Sequence, residues 1–224
     1  MGYGITIRVQ GDYALFTRPE MKVERVSYDI ITPSAARGII EAIYWKPAIY
    51  WKIDKIHVLN EIEFTNIRRN EVSEKISTNI AKRVMKGAYD KPFYLSATDN
   101  RQQRAALVLK NVDYVIEAHF DVINQIADKD ERVKEEKKHY NIILRRLRDG
   151  QHFHAPYLGT REFGAKVTLI ENEPIPPSAL KGELNLGWML YDLDFGDPQD
   201  IRPEFFKATL QDGVLDLNGI ELRG

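Results

Sequence analysis

Apolar Ile5, Ile7 and Val9 alternate with polar Thr6, Arg8 and Gln10, the two-residue period of a strand with one buried face. That strand reaches Gly11-Asp12 and resumes from Tyr13 to Phe16. After Thr32 the period lengthens. Ala36, Ile39, Ile40 and Ile43 recur at helical spacing, with Thr32 as N-cap and Pro33 at the first helical position, where its missing N–H costs nothing. Pro47 biases Lys46 away from helical geometry and stops the helix. Strand patterning returns over Tyr50–Val58 and, past a turn at Asn60, over Glu61–Ile67. Residues 68–104 are polar and charged, and their middle, Val72 to Met85, predicts an exposed helix. Ala105 to Ile123 alternate again. Tyr140, Ile143, Leu144 and Leu147 form the apolar stripe of a long helix, Asp128–Arg148, ended by Asp149-Gly150. A further strand is expected over Phe163–Ile170.

Strand–helix–strand–strand–helix–strand is the order of a ferredoxin-like domain, the architecture shared with RNA-recognition modules. The predicted class is therefore α+β, with this ferredoxin-like (RNA-recognition-module-like) domain over residues 1–171. Asn172-Glu173-Pro174-Ile175-Pro176-Pro177 reads as a linker to a small antiparallel β-rich C-terminal region, 172–224. Its strand-like pieces are Leu186–Leu193 and Phe205–Leu210, with Asp212-Gly213 as a hairpin turn.

Composition narrows the function. With 43% hydrophobic and 29% charged residues, the 224-residue chain can bury a real core. The net charge of -1 excludes a blanket polycation, so any nucleic-acid surface must be a local patch. With no cysteine, disulfides, thiolate nucleophiles and Cys-ligated metals are excluded. No run approaches a membrane span, so a cytoplasmic protein with no membrane partner is expected. No phosphate loop or dinucleotide fingerprint appears, and no cofactor is expected. His152-Phe153-His154 would set two imidazoles on one face of a strand, but no third ligand stands at metal-site spacing and no metal site is predicted. His57 and His119 fall inside alternating strands as half-buried residues.

The remaining candidates lie on the two helices. Tyr44 and Lys46 leave the end of the first, with Arg37 and Glu41 on the same face as Tyr44. On the second, Lys138 and His139 are expected to line one edge while Tyr140 turns to the core. A phenol, an amine and an imidazole suit proton transfer and charge stabilisation at phosphorus. They equally suit packing for Tyr44 and a solvated helix face for Lys138 and His139. Arg145, Arg146 and Arg148 form the best local basic cluster.

Several segments, in order, carry a resemblance. They are Gly11-Asp12-Tyr13-Ala14-Leu15-Phe16-Thr17, Thr32-Pro33-Ser34-Ala35-Ala36-Arg37-Gly38, Ile43-Tyr44-Trp45-Lys46-Pro47, Phe64-Thr65-Asn66-Ile67-Arg68-Arg69-Asn70, Lys138-His139-Tyr140 and Tyr157-Leu158-Gly159-Thr160-Arg161-Glu162-Phe163. Together they resemble the CRISPR-associated endoribonuclease of subtype I-C, the "d" (or "c") variant of the fifth CRISPR-associated family. The similarity runs from about Gly11 to Phe163, with a weaker echo over Leu186–Asp192. It implies a metal-independent, repeat-specific endoribonuclease of antiviral defense that cuts precursor CRISPR RNA beside its stem-loop. It also implies that the enzyme stays on the crRNA 5′ handle, with the other subunits of the type I-C interference complex (Cascade) as partners.

The family's catalytic tyrosine falls on Tyr44 and its lysine–histidine pair on Lys138 and His139. Attack by a ribose 2′-OH would give 2′,3′-cyclic phosphate and 5′-OH ends, with His139 moving a proton and Lys138 stabilising the phosphorane. Tyr44 would orient the 2′-OH or help deprotonate it, and whether Tyr44 or His139 is the base stays open. Candidate RNA-binding residues are Arg37, Lys46, Arg68, Arg69, Arg145, Arg146, Arg148 and Arg161. The stacking signature of RNA-recognition modules is absent, so base stacking on a flat sheet is not expected. The competing readings are a non-catalytic scaffold on the RNA handle and non-specific binding of duplex DNA by the same basic surfaces.

Overall fold

In the computed structural model, which describes residues 3–21, 23–88, 93–123, 128–197 and 199–224, the opening alternation becomes β1 (Gly4–Ala14), with Ile5, Ile7 and Val9 buried. A two-residue strand with no sequence signal, β2 (Arg25–Val26), follows. Then comes α1 (Pro33–Ile43), where the Thr32 side chain accepts from the Ala35 N–H at 3.2 Å as a capping residue should. The chain continues through β3 (Ile49–Val58), β4 (Glu63–Val72), α2 (Thr78–Met85), β5 (Arg101–Val122), α3 (Lys129–Arg148) and β6 (Lys166–Leu169). It closes with β7 (Glu183–Asp194), β8 (Arg202–Gln211) and β9 (Val214–Asp216).

The strands run β6-β1-β5-β3-β9-β8-β7 in one large, mainly antiparallel sheet, from which β2 and β4 branch by pairing with β5. The class is α+β. β5 organises the sheet: its 22 residues pair with β4 from Arg101 to Lys110, with β1 from Leu109 to His119, and with β3 from Tyr114 to Val122. The apolar faces of α1 and α3 cover the sheet, so Ile40, Ile143, Ile7 and Trp51 belong to one core. The C-terminal strands continue that sheet. Ile56 of β3 pairs with Leu215 of β9, and Met189, Phe206 and Leu210 share the same core. Asp212 (φ 50°) and Gly213 (φ 78°) form the expected hairpin turn, both in the left-handed region such a turn demands.

Boundaries differ where hydropathy gives no signal. β4 runs to Val72 and β5 starts at Arg101 because the ladder keeps pairing through polar residues, whose backbone groups need partners as much as apolar ones do. The helix expected from Val72 to Met85 is confined to Thr78–Met85, beginning at the Ser77 cap; residues 89–92 of that charged insertion lie outside the described residues. The strand expected over Phe163–Ile170 shortens to β6, since Gly164 bridges back to Tyr157 instead. No strand covers residues 152–154, and the chain bends at Phe153 and His154, so His152 and His154 do not share a strand face.

Candidate active site

Tyr44 is the residue at which α1 stops. Its backbone is extended (φ -149°, ψ 112°), its N–H still bonds Ile40 O at 2.9 Å, and its carbonyl accepts from Trp51 Nε1 at 3.0 Å. These two backbone hydrogen bonds, one to α1 and one to β3, hold the residue in place with its side chain inside, and Tyr44 is 1% exposed. His139 approaches from α3, also buried, at 5% exposed. Here the expected rotation of α3 is corrected. His139, Ile143 and Leu147 form one i, i+4, i+8 row that faces the core, while Tyr140 lies half-buried at the rim, 4.8 Å from the Tyr3 ring.

The two side chains meet. Tyr44 Oη lies 2.7 Å from His139 Nδ1, with Phe120 packed edge-on against the imidazole at 6.2 Å. Burial raises the Tyr44 phenol above its ordinary value, Arg146 partly opposing this and Glu135 adding to it. Burial likewise lowers His139 below its usual 6.5, with Glu135 opposing and Lys138 and Lys46 adding to the shift. Both groups are therefore neutral near pH 7. A carboxylate can only accept, so with Glu135 facing Nε2 the imidazole proton belongs on Nε2 and the phenol donates to Nδ1. Nε2 is buried without a hydrogen-bond acceptor among the described residues, and the Glu135 carboxylate faces it at 3.5 Å.

Lys138 is exposed, and its Nζ reaches both Glu135 oxygens at 3.1 and 3.0 Å. Glu135 thus touches the surroundings of both candidate residues, although the sequence reading did not single it out. Its signal was the spacing: it stands three residues before Lys138 and four before His139, on the same helix face. Arg146 is the other participant. Its Nη1 donates to Ile43 O at 2.5 Å and its guanidinium lies 5.2 Å from the Tyr44 ring centroid, so it covers the phenol.

The remaining named cations scatter. Arg37 pairs with the buried Asp192 at 2.8 Å and ties α1 to β7. Arg69 pairs with Glu162, and Arg148 with Glu171 at 2.6 Å. Arg68, Arg145, Arg161 and Lys46 are exposed, without an ion-pair partner among the described residues. The Arg145/Arg146/Arg148 run therefore presents no single basic surface, because neighbouring helical residues point about 100° apart. His57 meets Glu117 at 2.6 Å and His119 meets Asp54 at 2.8 Å, each half-buried as their strand patterning implied. Among the described residues no group of three or more His, Asp or Glu is placed to hold a metal ion.

Comparison with known proteins gives a consistent picture. The Cas5d model of the CRISPR-associated protein (Cas_Cas5) family matches residues 4–218. A CRISPR pre-crRNA endoribonuclease Cas5d of Mannheimia succiniciproducens is 52% identical over 221 residues, 97% of this chain and 96% of that protein. A protein of the same name from Thermus thermophilus is 38% identical over 230 residues, 95% of this chain and 90% of its own length. Among solved structures, the crystal structure of a CRISPR-associated protein superposes with a TM-score of 0.68 at 25% identity, covering 100% of this chain and 97% of that one. A chain of a CRISPR RNA-guided surveillance complex shares the fold, with a TM-score of 0.52 at 10% identity over 98% of this chain and 89% of the other.

Proposed function

The chain belongs to the Cas5d family of CRISPR-associated proteins, and on that footing we propose that it is a repeat-specific endoribonuclease that cuts precursor CRISPR RNA without a metal ion. It then remains on the 5′ handle as a subunit of the type I-C surveillance complex, in the cytoplasm. No helix among the described residues is long and apolar enough to cross a membrane. The order β6-β1-β5-β3, with α1 and α3 on the sheet, is read as the ferredoxin-like core of a domain covering 1–171, and 172–224 as its β-rich extension.

The observation that carries this reading is the 2.7 Å contact between Tyr44 and His139, two residues 95 positions apart. The pair can relay a proton. As the 2′-OH attacks phosphorus, its proton passes to the Tyr44 oxygen while the phenol proton moves to Nδ1. The Nε2 proton is then available to the leaving 5′ oxygen, so the imidazole changes tautomer and no net proton is lost. A phenol with a raised pKa is a poor base alone, and the histidine beside it removes the need for a free phenolate. Lys138, once its ammonium exchanges Glu135 for the phosphate, stabilises the charge developing on the phosphorane. A ribose reaching the enclosed pair must displace surface side chains, as RNA binding energy permits.

Incubating the purified protein with repeat RNA in EDTA tests the chemistry. Cleavage is expected to proceed undiminished and to leave a 2′,3′-cyclic phosphate, and deoxyribose at the nucleotide 5′ of the cut should abolish it. Loss of cleavage in EDTA overturns metal independence, and binding without any product makes the chain a handle-binding scaffold. Lys138→Ala is expected to slow single-turnover cleavage by about 10- to 100-fold, with the RNA Kd changed by less than about threefold. Equal losses in rate and binding would reassign Lys138 to the RNA-holding surface.

A further inference from the structure

Outside the Tyr44–His139 pair, the feature with no role so far is the segment around His152-Phe153-His154. Phe153 is 74% exposed and Trp45 is 56% exposed, both high for large apolar side chains. They flank a trough between α1 and residues 150–164, made of three adjoining hollows of about 330, 760 and 290 Å³ that share lining residues. The segment is fixed: the N–H groups of Phe153 and His154 both donate to Ala42 O, at 2.9 and 3.0 Å. Along α1 the wall is low, because Gly38 and Ala42 carry little or no side chain.

Two observations say what would occupy the trough. The first is continuity with the site. Trp45 follows Tyr44 in the chain, and Arg146 both lines one end of the trough and covers the Tyr44 ring. The second is charge. Arg161 lines the middle with no ion-pair partner among the described residues, and the one carboxylate there, Glu41, lies within 4.0 Å of Arg37 and is raised by burial. Apolar faces beside an unpaired cation, Arg161, match unpaired nucleobases on a phosphate backbone, and a duplex would hide those faces.

We propose that a single-stranded stretch of the RNA next to the cleaved linkage lies in this trough and stacks its bases on Trp45 and Phe153, with Arg161 on its backbone. The proposal rests on the ribonuclease reading above and adds where the RNA strand runs. It also moves base stacking off the sheet, which lacks the RNA-recognition-module signature, onto a groove beside α1.

The test compares two RNAs, the repeat hairpin with its single-stranded flanks and the same hairpin trimmed of them. Phe153→Ala is expected to weaken the Kd for the flanked RNA by about 5- to 150-fold, the range of one lost aromatic stack, and to leave the trimmed hairpin unaffected. Phe153→Trp should restore binding, which a general loss of folding would not allow, and Trp45→Ala should repeat the selective loss. If wild type binds the flanked RNA and Phe153→Ala binds it equally well, or loses both RNAs equally, the trough is not the strand's path. If wild type binds neither RNA, the ribonuclease reading and the trough fall together.

Discussion

Tyr44→Phe is expected to cut the single-turnover rate of repeat RNA cleavage by about 10²- to 10⁴-fold, the range of a positioned acid–base group, while the RNA Kd stays within about threefold. The substitution removes one oxygen and leaves a ring of the same shape beside the same Trp51, Arg146 and His139 neighbours. What is lost is the donor 2.7 Å from His139 Nδ1. Burial already holds the imidazole neutral, so the variant keeps an imidazole with nothing to relay to it. Leaving a buried Nδ1 unpaired should also cost about 1–3 kcal/mol of stability, visible in urea unfolding. A variant that cleaves at the wild-type rate would take Tyr44 out of the chemistry and leave it as packing at the end of α1.

His139→Ala should abolish cleavage to a similar or greater extent, and wild-type pH profiles should show why. Burial lowers the His139 pKa below its ordinary 6.5, so the neutral imidazole the relay needs is already formed at that pH. Cleavage should rise from acid with its midpoint below pH 6.5 and be level at more alkaline pH. A rate that instead kept climbing toward the phenol's range near pH 10 would make a free Tyr44 phenolate the base. Stability carries the same sign. As pH falls below about 6.5, the unfolded chain takes up a proton at this imidazole before the folded chain does. The native state therefore loses stability on acidification until its own lowered pKa is passed, and above 6.5 the contribution is complete. His139→Gln, which cannot titrate, should flatten that part of the wild-type dependence between pH 7 and pH 5 in urea unfolding.

The scattered cations bear on how such effects will divide. Arg69 and Arg148 already hold carboxylates, and Arg37 holds a buried one, so their removal disturbs the fold as well as any RNA contact. Exposed ion pairs contribute little to stability, whereas breaking the Arg37–Asp192 pair leaves a buried charge without its partner.

Local periodicity carried α1 and α3 almost residue by residue. A branched apolar stripe, a threonine cap and a proline act within one helix and need no distant partner. The hairpin turn at Asp212-Gly213 was legible for the same reason, since left-handed backbone conformation is a local demand. The polar stretches of β4 and β5 were not, because a ladder is sustained by backbone groups that hydropathy does not report. The rotation of α3 was read one residue out: Tyr140 looks more apolar than His139, yet the row shared with Ile143 and Leu147 sends the histidine inward.

The sequence by itself determined which groups are available, a phenol at one helix end and an amine–imidazole pair on another helix. Tertiary structure alone decided that the phenol and the imidazole touch, that Glu135 and Arg146 attend them, and that Phe153 stays in solvent. The physical reason is range. Helix periods and caps are settled over a few residues, but a contact between positions 44 and 139 depends on how two helices pack over strands from across the whole chain.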